Sequence, residues 1–153
     1  MLRKFLLPTL ILSAFMVFIG FVYFNYSVAQ QAIKETKPSP LFVEIISFPE
    51  KIKVNHSGHF SWRVEGSPDL STSFTTIFWG YQATPSALTR SDSPAAVAYP
   101  YSQPDYTTGS FKLPDSFDLN IFFNRPGTVW FRAYSNIRGE HLWSEEKQIM
   151  IEK

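Results

Sequence analysis

Three histidines, two aspartates and a group of tyrosines among prolines are the side chains with chemistry to offer. His56 and His59 stand three apart in His56-Ser57-Gly58-His59, near enough for two imidazoles to start a metal site. Zinc takes three or four protein ligands. His141, Asp69 and Glu140 would join that pair only through the fold. Solvated turn histidines are therefore expected, with no metal and no cofactor. Asp115 and Asp118 bracket Ser116-Phe117 and have the residue type of general acid–base catalysis or of calcium binding. Asp118 alternates with apolar neighbours, which predicts a carboxylate facing water from a half-buried strand. No nucleophile elbow, zinc-protease helix motif, P-loop or dinucleotide fingerprint occurs. The chain is expected not to be an enzyme.

The segment Gln82 to Pro114 holds Pro85, Pro94, Pro100, Pro104 and Pro114. A loop of that length in a small domain is usually functional or mobile. Within it Tyr99, Tyr101 and Tyr106 sit among prolines that limit backbone freedom. Rigid rings with a polar tip suit contact with a protein or a sugar at low entropic cost. The same rings could instead cover a sheet edge and block strand pairing, as prolines also do. Asn25-Tyr26-Ser27 and Asn55-His56-Ser57 fit the N-glycosylation acceptor pattern. Asn25 abuts the apolar N-terminal segment, so Asn55 is the candidate for glycosylation.

These residues need a scaffold, and the chain divides into four parts. Met1–Lys4 carries Arg3 and Lys4. Phe5–Phe24 is a run of 20 residues without a charge, about 30 Å as a helix, which matches a bilayer core. The positive-inside rule then predicts a single span with its N-terminus cytoplasmic and the remainder extracytoplasmic. Cleavage after Ala29 is the rival outcome, in which a signal peptide releases a secreted domain. Residues 25–41 read as a polar stalk ending in Pro38-Ser39-Pro40, and 42–153 as one domain. Among 153 residues there is no cysteine and the formal charge is +1. That excludes a disulfide scaffold, thiol or iron–sulfur chemistry, and a strongly basic nucleic-acid binder.

From Phe42 onward short alternating runs are punctuated by Gly, Pro, Asn and Ser. In Phe60-Ser61-Trp62-Arg63-Val64-Glu65 the apolar residues share one face, as in a half-buried antiparallel strand. Glu44–Phe48 and Ile52–Val54 read as a first strand broken at Pro49, and Asn55–Gly58 as the following turn. Thr75–Tyr81, Phe117–Phe123, Thr128–Ser135 and Lys147–Glu152 complete the set, with turns at Asn124–Gly127 and Asn136–Gly139. The expected fold is all-β, a two-sheet antiparallel β-sandwich preceded by one transmembrane helix. Its core should centre on Trp62, Trp79, Phe123, Phe131 and Ile149.

Pro126 through Asn136, followed by Gly139 and Trp143-Ser144-Glu145-Glu146, resembles the F strand, F–G hairpin and start of G of fibronectin type III domains. Trp62 stands where that family carries a core tryptophan in its B strand. Phe78-Trp79-Gly80-Tyr81, then Pro85-Ser86-Ala87-Leu88-Thr89, is similar to the C strand and C–C′ turn of microbial members. Trp130 departs from the family pattern where a tyrosine is usual. The resemblance implies an immunoglobulin-like module that binds, spaces or scaffolds, with no catalytic set to carry over. The expected partners are the membrane and a protein outside the cytoplasm, with contacts inside a surface or envelope assembly. A carbohydrate-binding module working through residues 99–106 is the alternative, and a small metal-dependent hydrolase the third reading. Nucleic acid is not expected.

Overall fold

The computed structural model describes residues 16–28 and 40–153, except Pro85 and Ala98. It divides into two units, Met1–Pro38 and Ser39–Lys153. In the first, residues 16–28 form a helix, α1, whose sequence is apolar around its whole circumference up to Phe24. Met16, Val17, Phe18, Phe21, Tyr23 and Phe24 are all exposed. Near its C-terminus the Asn25 amide donates to the Phe21 carbonyl at 2.8 Å, and the Ser27 hydroxyl to that of Phe24 at 2.8 Å. These local bonds carry the helix past Phe24, so the stalk expected from residue 25 begins later. At 1.5 Å per residue α1 measures about 20 Å, against about 30 Å for a bilayer core. No helix among the described residues is long and apolar enough to cross a membrane. The expected transmembrane helix, Phe5–Phe24, is thus described only over residues 16–24. The Met1–Lys4 tail, the Ala29 cleavage position and residues 29–39 of the stalk lie outside the described residues.

Among the described residues the second unit holds eleven strands: β1 (Phe42–Ser47), β2 (Lys51–Lys53), β3 (His56–Glu65), β4 (Ser71–Thr72), β5 (Phe74–Gly80), β6 (Tyr101–Ser102), β7 (Phe111–Lys112), β8 (Asp115–Phe123), β9 (Gly127–Ile137), β10 (Glu140–Trp143) and β11 (Lys147–Glu152). One sheet has the order β1-β3-β8. The facing sheet runs β2-β11-β9-β5-β6, with β10 also on β9, and β4-β7 form a small ribbon. This division of strands between two packed sheets is that of an immunoglobulin-like sandwich.

The sheets are not wholly antiparallel, as the alternation had suggested. After a bulge between Ile45 and Ser47 the first strand leaves β3. Pro49, which has no backbone donor, sits at the crossover. The chain re-enters the other sheet as β2, parallel to β11, with Ile52 opposite Ile151. The turn expected over Asn55–Gly58 shrinks to Val54 and Asn55, and His56, Ser57 and Gly58 belong to β3. Asn55 accepts a φ of 64°, which asparagine tolerates. Gly58 is buried, and a Cβ there would come within 2.2 Å of the Ile52 side chain. Close packing, and not a turn, is what requires glycine. The β9–β10 hairpin turns on Arg138 (φ 52°) and Gly139 (φ 86°), a pair suited to a tight two-residue connection.

Phe60, Trp62 and Phe131 are fully buried between the sheets, with Phe123 and Ile149 beside them. Phe60 meets Phe131 edge-on at 5.0 Å, and Trp62 stacks on Phe117 at 5.7 Å. The Trp62 indole N–H donates to Thr75 Oγ1 at 2.8 Å, and that hydroxyl donates to the Tyr134 carbonyl at 2.7 Å. A buried indole is satisfied in this way without water. Trp79 departs from expectation: it is half-buried at the rim of the core rather than at its centre. Phe131 points inward, while Trp130 lies on the outer face of the β5–β9 sheet. There it joins a second apolar cluster of Phe78, Tyr99 and Tyr134, packed also by Phe74 and Trp143. Both faces of β5 and β9 are therefore covered.

Candidate functional site

The fold separates the three tyrosines that the sequence had placed together. Tyr99 is buried in the second cluster. Its hydroxyl donates to Glu146 Oε1 and accepts from Arg132 Nε at 3.3 Å. Arg132 is itself buried. It donates to the carbonyls of Ser144 (3.0 Å), Thr84 (3.0 Å) and Ser86 (3.2 Å). Glu146 Oε1 also accepts the Thr84 amide at 2.7 Å. The network fastens the loop after β5 to the outside of the sheet. Tyr106, with φ 56°, packs its ring on Trp62, Phe111 and Phe117. Its hydroxyl donates to the Asp118 carbonyl at 3.2 Å. Long-range partners thus capture the rings of Tyr99 and Tyr106, which pack against the domain, Tyr99 buried and Tyr106 half-buried.

Burial, and then the Glu146 carboxylate accepting its proton, push the Tyr99 phenol up to about 12. A folded-state value above the usual tyrosine range of about 10 stabilises the fold below pH 10 and stops doing so as pH rises toward 12. Urea midpoints at pH 9 and pH 11 check this. The native chain is expected to lose more stability across that interval than Tyr99→Phe, and equal losses would overturn the assignment.

Tyr101 alone of the three remains exposed, at 46%. It stacks on Trp79 with centroids 4.4 Å apart and planes at 26°. Trp79 in turn meets Phe123 edge-on at 5.1 Å and Tyr81 at 6.1 Å, so the platform under Tyr101 is anchored to the core. Tyr101, Tyr81, Gln82, Pro100 and Arg125 enclose a cleft of about 260 Å³. The Arg125 guanidinium lies 4.9 Å over the Tyr81 ring, and the Tyr81 hydroxyl donates to the Arg125 carbonyl at 3.1 Å. Burial raises the Tyr81 pKa, with Arg125 opposing it.

Arg125 differs from the domain's other arginines. Arg63 pairs with Glu65 at 2.5 Å, Arg90 with Glu140 at 2.8 Å and Arg138 with Asp69 at 3.8 Å, and Arg132 is held by carbonyls. Among the described residues, no carboxylate or carbonyl accepts from the Arg125 side chain. Sequence reasoning missed Tyr81, Gln82, Pro100 and Arg125 as one site. Tyr81 read as the end of the Thr75–Tyr81 strand and Arg125 as part of the Asn124–Gly127 turn, and no local spacing joins them.

The other candidates stay apart. His56 Nδ1 lies 3.1 Å from its neighbour Val54's carbonyl, and His141 Nδ1 2.6 Å from the Tyr134 hydroxyl. His59 is 3.9 Å from the Asp118 carboxylate, both of them exposed. Asp115 accepts the Ser116 amide at 2.8 Å. No group of three or more potential metal ligands occurs among the described residues. Asn55 is exposed.

No protein-family model matches the sequence. Nor does any curated protein. Among solved structures the domain is similar to the PKD domain of an M14-like peptidase from a Thermoplasmatales archaeon, at 9% identity and a TM-score of 0.49, covering 76% of this chain and 98% of that one. A CARDB domain from Pyrococcus furiosus is similar at 11% identity and a TM-score of 0.43, over 74% and 95%. A superoxide reductase from Ignicoccus hospitalis reaches 15% and 0.42, over 79% and 86%. Likeness this distant assigns no function. The sandwich is established by its strand order.

Proposed function

We propose that the chain is a membrane-tethered, extracytoplasmic, non-catalytic module, fibronectin type III-like, that contacts a protein partner through the Tyr81–Tyr101–Arg125 cleft. One observation carries the reading: an exposed tyrosine, rigidly stacked on an anchored tryptophan, beside an arginine without an acceptor among the described residues. Tyr, Trp and Arg dominate the residues that supply binding energy at protein interfaces. The stacked pair limits the entropy lost on binding. For the tether, the support is α1 up to Phe24, apolar on every side, within a charge-free run that Arg3 and Lys4 precede.

A photo-crosslinking residue at position 101, in native membranes, tests the contact. A discrete protein adduct is expected from 101 and none from position 120, on the outer face of β8. Equal labelling from both positions would overturn the reading. Tyr101→Ala is expected to abolish capture of that partner while shifting stability by less than about 1 kcal/mol, as at exposed positions. For the tether, protease added to intact cells or spheroplasts should digest the C-terminal domain. Digestion only after lysis would reverse the topology.

A flat ring backed by a second ring also suits a pyranose face, which supports the carbohydrate-binding alternative. Sugar binding on a glycan array that is lost in Tyr101→Ala, with no protein adduct from position 101, would favour it.

A further inference from the structure

We infer that the Arg125 cleft is a carboxylate-recognition site, and that its occupant is an aspartate or glutamate side chain on an extended segment of the partner. The inference rests on the protein-contact reading above and adds the chemistry of what is contacted.

Charge comes first. Residues after Phe24 carry 12 basic and 13 acidic side chains, because Arg3 and Lys4 are the only two of the 14 basic residues before that point. Among the described residues, ion pairs to carboxylates hold Lys51, Arg63, Arg90, Arg138 and Lys147. Arg125 is not among them, and it is the cation that lines this cleft. Among the described residues that line its cleft there is one cation and no anion. A guanidinium without an acceptor is a fork for a planar anion. Stacking over Tyr81 limits its motion, and the Tyr81 hydroxyl pins the backbone that carries it.

The remaining polar groups agree. The Tyr101 hydroxyl and the Gln82 amide have no hydrogen-bond partner among the described residues. Both can donate to a carboxylate that Arg125 has engaged. At about 260 Å³ the cleft falls below the roughly 300 Å³ at which pockets for drug-sized ligands begin. Its size accommodates a carboxylate side chain.

The strand order points to an extended peptide as the carrier. Among the described residues β6 (Tyr101–Ser102) ends its sheet and pairs with β5 alone, Tyr101 opposite Trp79 and Ser102 opposite Phe78. The backbone beside Tyr101 is therefore an open edge, against which an extended chain can lie. A sugar could use the ring but has no strand edge to pair.

The probe is a fluorescently labelled, end-blocked peptide, Thr-Val-Glu-Val-Thr, and its control is the same peptide with glutamine at the centre. Anisotropy is read on the full chain in detergent micelles. Glutamate peptide should bind at least tenfold more tightly than glutamine peptide and weaken as salt rises. Arg125→Gln should remove that tenfold difference, and Arg125→Lys should restore only part of it, since lysine lacks the fork. Among the described residues the Arg125 side chain donates no hydrogen bond and touches only the Tyr81 ring, so its variants should stay close to the native urea midpoint; that control is run alongside.

Equal binding of the two peptides, no binding of either, or a tenfold difference that survives Arg125→Gln would each overturn the inference. Tetragalacturonate bound in an Arg125-dependent way while the peptides are not would overturn it too, assigning the cleft to an acidic glycan. The two levels fail separately. A position-101 protein adduct alongside equal peptide affinities removes the carboxylate and leaves the protein contact. Arg125-dependent peptide binding without an adduct does the reverse.

Discussion

Trp62→Ala is expected to remove a large part of the domain's stability at 25 °C, about 3–5 kcal/mol. The indole is fully buried, stacked on Phe117 at 5.7 Å and met edge-on by Tyr106 at 6.0 Å. Removing a buried tryptophan in favour of alanine costs about 3–5 kcal/mol, because the surrounding groups close the cavity only in part. Whole domains are stable by about 5–15 kcal/mol, and this one has no disulfide to limit its unfolded chain. The loss here extends beyond the cavity. Thr75 Oγ1 loses its donor at 2.8 Å, and Tyr106, which helps plug that end of the core, loses a wall. Urea unfolding followed by circular dichroism measures the effect. Trp62→Phe separates its two parts, keeping most of the packing and losing only the indole N–H, so it should cost about 1–2 kcal/mol. A Trp62→Ala midpoint within 1 kcal/mol of the native chain would mean that the sheets do not meet around this residue.

Arg132→Met should cost nearly as much, and in a different place. The guanidinium donates to three carbonyls and to the Tyr99 hydroxyl. Methionine would keep much of the volume and none of the donors. Leaving buried partners of a charge without their donor costs about 3–5 kcal/mol. Three of the four acceptors, on Thr84, Ser86 and Tyr99, belong to the segment between β5 and β6. That segment should therefore loosen before the sandwich does. Limited proteolysis is expected to cut Arg132→Met between residues 82 and 98 under conditions in which the native chain is intact. Arg132→Lys should fall between them, since one ammonium cannot reach acceptors spread over a fork. Unchanged resistance to protease would mean that other contacts hold the segment.

The same variant links the packing to the candidate site. Tyr101 follows Tyr99 by two residues, so the Tyr99 anchor sets where Pro100 and Tyr101 emerge. Pro100 lies against Gly80, where a Cβ would come within 2.9 Å of its ring. A residue larger than glycine at position 80 would push Pro100, and with it the ring stacked on Trp79, out of place. The cleft is thus supported by residues that never touch a ligand.

Some of this was legible in advance. Phe60, Trp62 and Val64 all face the core because strand side chains alternate whatever their partners. The same rule placed Asp118 and Asn120 in water and Phe117, Leu119, Ile121 and Phe123 inside. Pro49 marked a real break, although sequence could not show that the chain changes sheets there and pairs in parallel. Trp79 read as central because Ile77, Trp79 and Tyr81 share a face. Yet the covering sheet ends near Phe123, which leaves the far end of that face at the rim.

From residue order alone come the strand faces, the aromatic core and the absence of any cysteine chemistry, since these depend on neighbours two positions away or on composition. Tertiary structure alone decided which tyrosine is available. Tyr99, Tyr101 and Tyr106 have similar local surroundings, but Arg132 and Glu146 reach Tyr99 from 33 and 47 residues away. Trp62 and Phe117 surround Tyr106. Tyr101, whose ring stacks on its cross-strand partner Trp79, stays exposed, and the Arg125 that joins it comes from a different turn. Contacts made across such separations leave no mark in the spacing of nearby residues.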